Sequence, residues 1–311
     1  MALDEATSAF LAQMAAAGGK PLHEMTPEEA RGMGPMLRGL YGSGPEMKAV
    51  RDVRVPVSGG DILVRVLTPT EQPRGVLIYY HGGGWVIGAI DEFDTLGRNL
   101  AERTGLTTLL VDYRLAPEHR YPTAVDDSWA ALQWADANRS SLAPSCGPLI
   151  VAGDSAGGNI AAILAQRAKA AGGPAIDLQV LVYPVTDADF ENESYTDPEN
   201  QLMLTRDSMI WFWDHYAPDP ASREKPDASP IKAEDLSGLP PAVVLTAEHD
   251  VLRDEGEAYA RRLAWAGVPV QHRRFPGQMH GFFTMVNVLP GSAAGIDHVV
   301  TAIDEHLATH A

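Results

Sequence analysis

The stretch Leu149-Ile-Val-Ala-Gly-Asp-Ser-Ala-Gly-Gly158 decides the fold of this chain. Its apolar start, residues 149–152, is typical of a buried strand in a parallel sheet. The alanine-rich residues 159–171 that follow favour a helix. Between them, the pattern G-x-S-x-G places Ser155 on a turn so tight that only small residues fit two positions before and after it. This order predicts a nucleophile elbow, with the Ser155 hydroxyl presented at the positive end of a helix.

Composition and charge limit the classes of protein to consider. The 311 residues are 45% hydrophobic and 21% charged, which is typical of a globular chain with a large core. The net charge of −17 argues against nucleic acid or an anionic membrane surface as a partner. The single cysteine, Cys146, excludes an intrachain disulfide, fits a reducing compartment and is not expected to be a nucleophile. Because the N-terminus is acidic and no apolar run is long enough to span a bilayer, we expect a soluble, cytoplasmic protein.

Strands and helices alternate after an opening hairpin. The hairpin strands are residues 49–56 and 62–68, joined by the turn Ser58-Gly-Gly-Asp61. Six more strands are predicted over residues 75–80, 106–111, 149–152, 178–182, 242–246 and 268–275, and helices over residues 94–104, 123–137, 159–171, 255–266 and 296–308. We therefore expect one α/β domain, residues 47–311, with an eight-stranded, mostly parallel sheet flanked by helices.

Two segments stand outside this alternation. Residues 1–46 are predicted to form two amphipathic helices, the second starting at Thr26-Pro-Glu-Glu29 with a threonine cap and acidic residues in its first turn. Residues 186–232, within a longer irregular excursion, carry an aromatic cluster on a helix-like segment: Trp211, Phe212, Trp213 and Tyr216. These rings either only attach a surface helix to the body or, with the N-terminal helices, cap the active site. Both can hold, and we predict a helical cap built from the two segments.

A glycine-rich loop, His81-Gly-Gly-Gly-Trp85, directly follows the strand over residues 75–80. Glycines let backbone N–H groups approach a ligand closely. We therefore predict an oxyanion hole formed by the N–H groups of Gly82, Gly83 and Ala156. A phosphate-binding loop is the alternative, but the stretch lacks a G-K-[ST] ending and the spacing of a dinucleotide fingerprint. His81 itself is expected to fix the loop rather than act as a base.

The acid that orients a catalytic histidine is expected in a loop after a later strand. Glu248, Asp250 and Asp254 all follow the strand over residues 242–246. Asp254 is expected in the first turn of the next helix, and Glu248 is expected to bond to loop backbone. Asp250 lies in the loop between strand and helix, so it is the predicted acid.

The base must be a histidine beyond Asp250 in the sequence. His280 stands in the loop Pro276-Gly-Gln-Met-His-Gly281, immediately after the last strand. The other histidines of this part of the chain fall in that strand, in the closing helix or in the tail: His272, His298, His306 and His310. The predicted triad is therefore Ser155, His280 and Asp250. Because a base and an acid are available to Ser155, we interpret it as a nucleophile and not as a serine that only caps a helix.

Five motifs, in order along the chain, resemble those of the hormone-sensitive-lipase family of bacterial esterases, within the α/β-hydrolase fold. They are His81-Gly-Gly-Gly-Trp85, Tyr113-Arg-Leu-Ala-Pro-Glu118, Gly153-Asp-Ser-Ala-Gly-Gly158, Asp250 with Leu252-Arg-Asp-Glu-Gly256, and His280-Gly-Phe282. The third is similar to the form of the subgroup with aspartate before the nucleophile. Within the second motif, Arg114 and Glu118 are expected to pair and brace the loop beside the site.

The resemblance implies carboxylester hydrolysis without a cofactor. The sequence also has no metal signature, neither H-E-x-x-H nor clustered cysteines. We predict a carboxylesterase for short- to medium-chain acyl esters of small molecules. The candidate residues of its substrate pocket are Trp85, Trp211, Phe212 and Phe282.

Two alternative functions are compatible with the sequence, and so is assembly into a homodimer. The same triad would serve an amide or lactone hydrolase, and the same fold occurs in small-molecule receptors, although these typically lack a triad member. The last strand is expected at a sheet edge, where related esterases pair into homodimers. Its charged residues, His272, Arg273 and Arg274, are equally suited to keep an exposed edge from pairing.

Overall fold

A computed structural model describes residues 2–145 and 147–309, without the side chain of Leu37. Cys146 and His310, whose roles were considered above, lie outside the described residues. All eight predicted strands are present: β1 (Ala49–Val57), β2 (Gly60–Thr68), β3 (Val76–Tyr80), β4 (Thr107–Asp112), β5 (Leu149–Asp154), β6 (Leu178–Val182), β7 (Ala242–His249) and β8 (Val270–Met279). They form one sheet in the order β1-β2-β4-β3-β5-β6-β7-β8.

The sheet is mostly parallel. Only β2 runs antiparallel to its neighbours, β1 and β4, and every other neighbouring pair is parallel. The central strands β3, β5 and β6 are buried along their whole length, as expected for parallel strands covered on both faces. The predicted fold class, an eight-stranded α/β sheet flanked by helices, is confirmed.

Helices cover both faces of the sheet and continue into the two segments outside the alternation. The helices are α1 (Glu5–Ala17), α2 (Pro27–Arg31), α3 (Gly34–Tyr41), α4 (Asp94–Thr104), α5 (Thr123–Ala137), α6 (Arg139–Leu142), α7 (Ala156–Ala171), α8 (Glu193–Thr196), α9 (Arg206–Tyr216), α10 (Pro220–Arg223), α11 (Arg253–Trp265) and α12 (Pro290–Thr309). Short 3₁₀ segments are Leu22–Glu24, Pro198–Asn200, Pro230–Lys232 and Phe282–Thr284. Among the described residues, no helix combines the length and the apolar character that crossing a bilayer requires.

The core lies in two layers, one on each face of the sheet. On one face, α5, α7 and α11 pack on the strands through side chains such as Leu132, Ile160 and Leu263. On the other face, α4 and α12 pack through side chains such as Leu100 and Ile303. Because both faces are covered, only the ends of the strands are left open for a site that contacts small molecules.

The N-terminal segment differs from its prediction. The second predicted helix starts as expected, with a capping box in which the Thr26 side chain accepts from the Glu29 N–H and the Glu29 carboxylate accepts from the Thr26 N–H. It then breaks into α2 and α3 around Gly32 and Gly34. Glycine loses the most backbone freedom in a helix, and the proline after Gly34 fits a first turn, so a new helix starts there.

Strand β8 forms one edge of the sheet, which confirms that part of the prediction. Its charged residues have partners within the chain. The Arg274 guanidinium donates to both carboxylate oxygens of Glu257 at 2.7 Å, and the Arg273 guanidinium lies 4.7 Å from the centre of the Phe275 ring. Pairing of two copies through this edge stays a prediction.

Candidate active site

The three residues predicted to form a triad occupy equivalent places in the fold. Ser155, Asp250 and His280 are each the first residue after a strand, namely β5, β7 and β8. These strands run parallel within the run β5-β6-β7-β8, so their carboxyl ends meet at one edge of the sheet. Residues far apart in sequence therefore come together there, as is usual for sites in open α/β sheets.

Ser155 lies on a strained turn. Its backbone has φ 54° and ψ −118°, a positive φ that is rare for a residue with a side chain. The turn needs small neighbours: a Cβ at Gly157 would lie 1.8 Å from the Tyr80 carbonyl oxygen, and one at Gly153 would lie 2.3 Å from the Gly157 carbonyl carbon. The strand, turn and helix of the elbow thus have the geometry that the sequence predicted.

Two hydrogen bonds join the three side chains. His280 Nε2 lies 3.1 Å from Ser155 Oγ, and His280 Nδ1 lies 2.8 Å from Asp250 Oδ2. The Asp250 side chain is fully buried, and its Oδ1 accepts from the Leu252 N–H at 2.9 Å. A carboxylate can only accept, so the proton of the neutral imidazole is on Nδ1, and Nε2 is left to accept the serine proton.

The predicted oxyanion hole needs one correction. The Gly82 N–H donates to Asp154 Oδ1 at 2.9 Å, so this amide already has an acceptor and the prediction for Gly82 is wrong in this geometry. The N–H groups of Gly83 and Gly84 donate to no acceptor among the described residues. Ala156 is the first residue of α7, where helix geometry leaves the N–H without a partner. Gly83, Gly84 and Ala156 are therefore the amides available to a developing negative charge.

The family follows from comparison with known proteins. A family model described as "alpha/beta hydrolase fold" matches residues 77–284, about two thirds of the chain. The chain belongs to the α/β hydrolases of the hormone-sensitive-lipase type.

Three relatives illustrate this membership. The chain is 42% identical to carboxylesterase NlhH of Mycobacterium tuberculosis, over 79% of each protein. It is 37% identical to the ethyl acetate hydrolase of Pseudomonas putida, over 99% of this chain and all of that one. Its structure is similar to the crystal structure of a thermostable esterase from Pseudomonas putida ECU1011, with a TM-score of 0.90, 38% identity and 98% of each chain covered.

The aromatic residues predicted to line a substrate pocket separate into two groups in this α/β hydrolase. Trp85 and Phe282 have no accessible surface. Trp85 stacks on Tyr216 of α9, with ring centres 4.2 Å apart. Because the side chains of Trp85 and Phe282 are both buried, neither can contact a substrate without rearrangement. The other two candidates, Phe212 and Trp211, lie on α9. Phe212 packs directly against the glycine loop, because a Cβ at Gly84 would lie 2.1 Å from its ring.

Residues near the triad have the local roles that sequence analysis gave them. Glu248 accepts from the Gly277 N–H at 2.7 Å and so bonds to the backbone of the histidine loop. Asp254 lies in the first turn of α11 and accepts from the Ser194 N–H at 2.8 Å. The buried His81 ring stacks on Tyr113, with ring centres 4.3 Å apart, and its Nδ1 lies 2.7 Å from the Gly82 carbonyl oxygen. No group of three or more metal-binding side chains occurs within the described ranges.

The expected pair between Arg114 and Glu118 does not form. Arg114 instead donates to both carboxylate oxygens of the buried Asp127, at 2.6 and 2.8 Å. Glu118 accepts two hydrogen bonds from Arg31 of α2, at 2.9 and 2.7 Å. The sequence motif offered no signal for Arg31, because that residue lies 87 positions before Glu118.

Arg31 also binds the loop that follows the three glycines. Its Nε donates to the Val86 carbonyl and its second guanidinium nitrogen to the Ala116 carbonyl, both at 2.8 Å. The Glu118 side chain is 56% exposed, so the ion pair with it is largely screened. The two bonds to backbone carbonyls are the more important ones, and they fix α2 against the loop that follows the three glycines.

We expect Arg31→Ala to lower the free energy of unfolding by about 1–3 kcal/mol, because it leaves two partly buried carbonyls without a donor. Glu118→Gln, which keeps those bonds, should change it by less than about 1 kcal/mol. Urea unfolding followed by circular dichroism measures both. Arg38→Ala is the matched control, since the Arg38 side chain on α3 is 62% exposed and pairs with Asp91 at 3.4 Å. Equal losses for Arg31→Ala and Arg38→Ala would contradict the assignment.

Proposed function

We propose that this α/β hydrolase is a carboxylesterase that cleaves short- to medium-chain acyl esters of small molecules through Ser155, His280 and Asp250. The observation that carries the proposal is the hydrogen-bonded chain from Ser155 Oγ through the imidazole to Asp250, at 3.1 and 2.8 Å. Relatives described as esterases over most of the chain support the reaction class. The Gly-Asp-Ser-Ala-Gly motif supports placing it in the subgroup with aspartate before the nucleophile.

The reaction is acyl transfer in two halves. His280 Nε2 takes the Ser155 proton while Oγ attacks the ester carbonyl carbon, and the N–H groups of Gly83, Gly84 and Ala156 stabilise the oxyanion. When the tetrahedral intermediate collapses, the imidazolium gives its proton to the departing alcohol, leaving an acyl-enzyme. Water then attacks the acyl carbon with the same imidazole as base, and the acid leaves. Asp250 holds the imidazole in the required tautomer and stabilises its charged form.

The proposal includes a cap over the site, built from residues 1–46 and 186–232. Helix α9 of the second segment contacts the 3₁₀ turn Leu22–Glu24 of the first, so the two segments meet. The same helix packs Phe212 against Gly84 and Tyr216 against Trp85, which places it on the glycine loop. A cap in this place would narrow the entrance, and a narrow entrance favours short and medium acyl chains.

Covalent labelling tests the nucleophile. A serine-directed phosphonate should form one adduct per chain, and turnover should be lost in proportion to labelling. Peptide mass spectrometry should find the adduct on the peptide that contains Ser155. An adduct on another residue, or inactivation without an adduct, would contradict the proposal. Absence of both labelling and hydrolysis would favour the receptor alternative.

The acyl-chain preference has its own prediction. We expect kcat/KM for p-nitrophenyl esters to be highest between acetate and octanoate, and to fall by about tenfold or more at palmitate, because a capped pocket excludes the longer chain. A series measured below the critical micelle concentration gives these values. Butyryl p-nitroanilide and butyrolactone belong in the same series. Faster turnover of palmitate than of butyrate would contradict the predicted chain length, and faster turnover of the anilide or lactone would contradict the ester assignment.

A further inference from the structure

One carboxyl group beside the site takes no part in the acyl transfer described above. Asp154, the last residue of β5, is 5% exposed and accepts two hydrogen bonds on Oδ1, from the Tyr79 hydroxyl at 2.7 Å and from the Gly82 N–H at 2.9 Å. Its Oδ2 lies against Gly82 as well, since a Cβ there would be 2.3 Å from it. The residue next to the nucleophile is therefore bonded to the first glycine of the oxyanion loop.

Other contacts of this loop fix its shape. The Gly83 carbonyl accepts from the Val86 and Ile87 N–H groups, at 3.0 and 2.9 Å, and both bonds lie inside the loop. The Tyr113 hydroxyl donates to the His81 carbonyl at 2.7 Å, which joins the loop to the segment after β4. Neither contact reaches the nucleophile turn. The bond between Gly82 and Asp154 does, because Asp154 and Ser155 share a peptide unit.

We propose that Asp154 is a positioning residue for the oxyanion hole, which holds the glycine loop at a fixed distance from Ser155 by accepting the Gly82 N–H. The inference rests on the proposed function, because it assigns a role within the same acyl transfer. Preorganised donors contribute to catalysis only while their positions are held, and a displacement of 1 Å can cost roughly 10²-fold in rate. A tether between the loop and the elbow meets this requirement without contacting the substrate.

Holding the Gly82 N–H requires a hydrogen-bond acceptor on the side chain of residue 154, but not a negative charge. Burial raises the pKa of the Asp154 carboxyl to about 6, although the two hydrogen bonds and the nearby His280 favour its ionised form. An amide oxygen can accept the same two hydrogen bonds. Asp154→Asn should therefore keep the loop in place, whereas Asp154→Leu, which has a similar shape and no acceptor, should release it.

The test compares these two variants in the full-length enzyme. We expect Asp154→Leu to lower kcat for p-nitrophenyl butyrate by roughly 10²-fold with KM changed by less than about threefold. The reason is that displaced N–H donors stabilise the transition state less, while binding of the substrate in its ground state is little affected. Asp154→Asn should stay within about tenfold of the parent. Affinity for a trifluoromethyl ketone, whose adduct carries the oxyanion, should fall in parallel with kcat in the leucine variant. Amide exchange of a peptide covering residues 82–88 should become faster in that variant alone.

A matched control separates positioning from general destabilisation. Glu257 of α11 is also buried and bonds to Arg274 outside the site, so Glu257→Leu should lower thermal stability and leave kcat near the parent value. If Asp154→Leu does not fold, the double variant Tyr79→Phe with Asp154→Leu serves instead, because it removes the buried hydroxyl that would lose its acceptor.

Three outcomes would overturn the proposal: a kcat of the leucine variant within threefold of the parent, a loss expressed in KM alone, or an equal loss in the asparagine variant. The proposed function fails separately. If the parent hydrolyses no ester and takes up no phosphonate, the esterase assignment is wrong, while amide exchange in the leucine variant still decides whether Asp154 holds the loop.

Discussion

Replacing Ser155 with alanine is expected to lower kcat for p-nitrophenyl butyrate by roughly 10⁴- to 10⁶-fold. The hydroxyl is the atom that attacks the carbonyl, and without it no acyl-enzyme can form. The remaining oxyanion donors and the binding site account for the small residual rate. Initial rates of p-nitrophenolate release, measured over hours for the variant and seconds for the parent, cover this range.

The fold should survive this change. The serine hydroxyl is bonded to His280, and alanine has the same Cβ, so the strained backbone of the turn meets no new contact. Circular dichroism and the thermal unfolding midpoint should remain close to those of the parent. Ser229→Ala, at another buried serine, is the matched control and should retain the parent rate. Hydrolysis by freshly purified Ser155→Ala at the parent rate would refute the nucleophile.

The second large effect is expected for Asp250→Asn, with kcat lowered by roughly 10³- to 10⁴-fold and KM little changed. The amide oxygen can still accept from Leu252, so its NH₂ group faces the imidazole in place of Oδ2. That group can only donate, which forces the imidazole proton onto Nε2. The ring then cannot accept the Ser155 proton, although all atoms keep nearly their places.

Steady-state kinetics across pH 5–9 measure this loss for Asp250→Asn. Two neighbouring acids, Glu248 at the end of β7 and Asp254 in the first turn of α11, supply controls of the same chemistry. Asp254→Asn and Glu248→Gln affect a helix turn and a loop contact, and each should keep kcat within about tenfold of the parent. If either variant loses more activity than Asp250→Asn, the acid has been assigned to the wrong residue.

The sheet and the triad could be predicted because each depends on local sequence. Strands buried on both faces, such as β5 and β7, appear as short apolar runs, and each triad residue directly follows a strand. The strict demand for small residues at Gly153 and Gly157 marks the elbow in the sequence itself. Because the strands before Ser155 and His280 run parallel in one sheet, their carboxyl ends, and so these two residues, can be predicted to lie at the same edge of the sheet.

Contacts between distant segments could not be predicted in this way. The register of β3 and β5 pairs Tyr80 with Gly153, so the glycine loop after β3 passes beside Asp154. The hydrogen bond from the Gly82 N–H to Asp154 depends on this register, which the sequence does not indicate. The role of Arg31 likewise depends on how α2 docks, since nothing in its own segment indicates Glu118 or Val86 as partners. The orientation of Trp85 toward the core rather than the pocket is a third case, because an aromatic residue after glycines is compatible with both.

The attachment of the N-terminal segment has a consequence for biosynthesis. The Asp4 N–H donates to the Gly277 carbonyl at 3.1 Å, and the Gln278 amide donates to the Asp4 carboxylate across 274 positions of sequence. At roughly 5–20 residues per second, the ribosome needs about 14 to 55 seconds to make the chain between these partners. During that interval neither of these two hydrogen bonds of Asp4 can form, so the start of α1 can dock on β8 only after translation has passed the last strand. A nascent chain halted before β8 would therefore leave the start of α1 undocked and open to proteases and chaperones, while in the released protein Thr7 of this helix is buried.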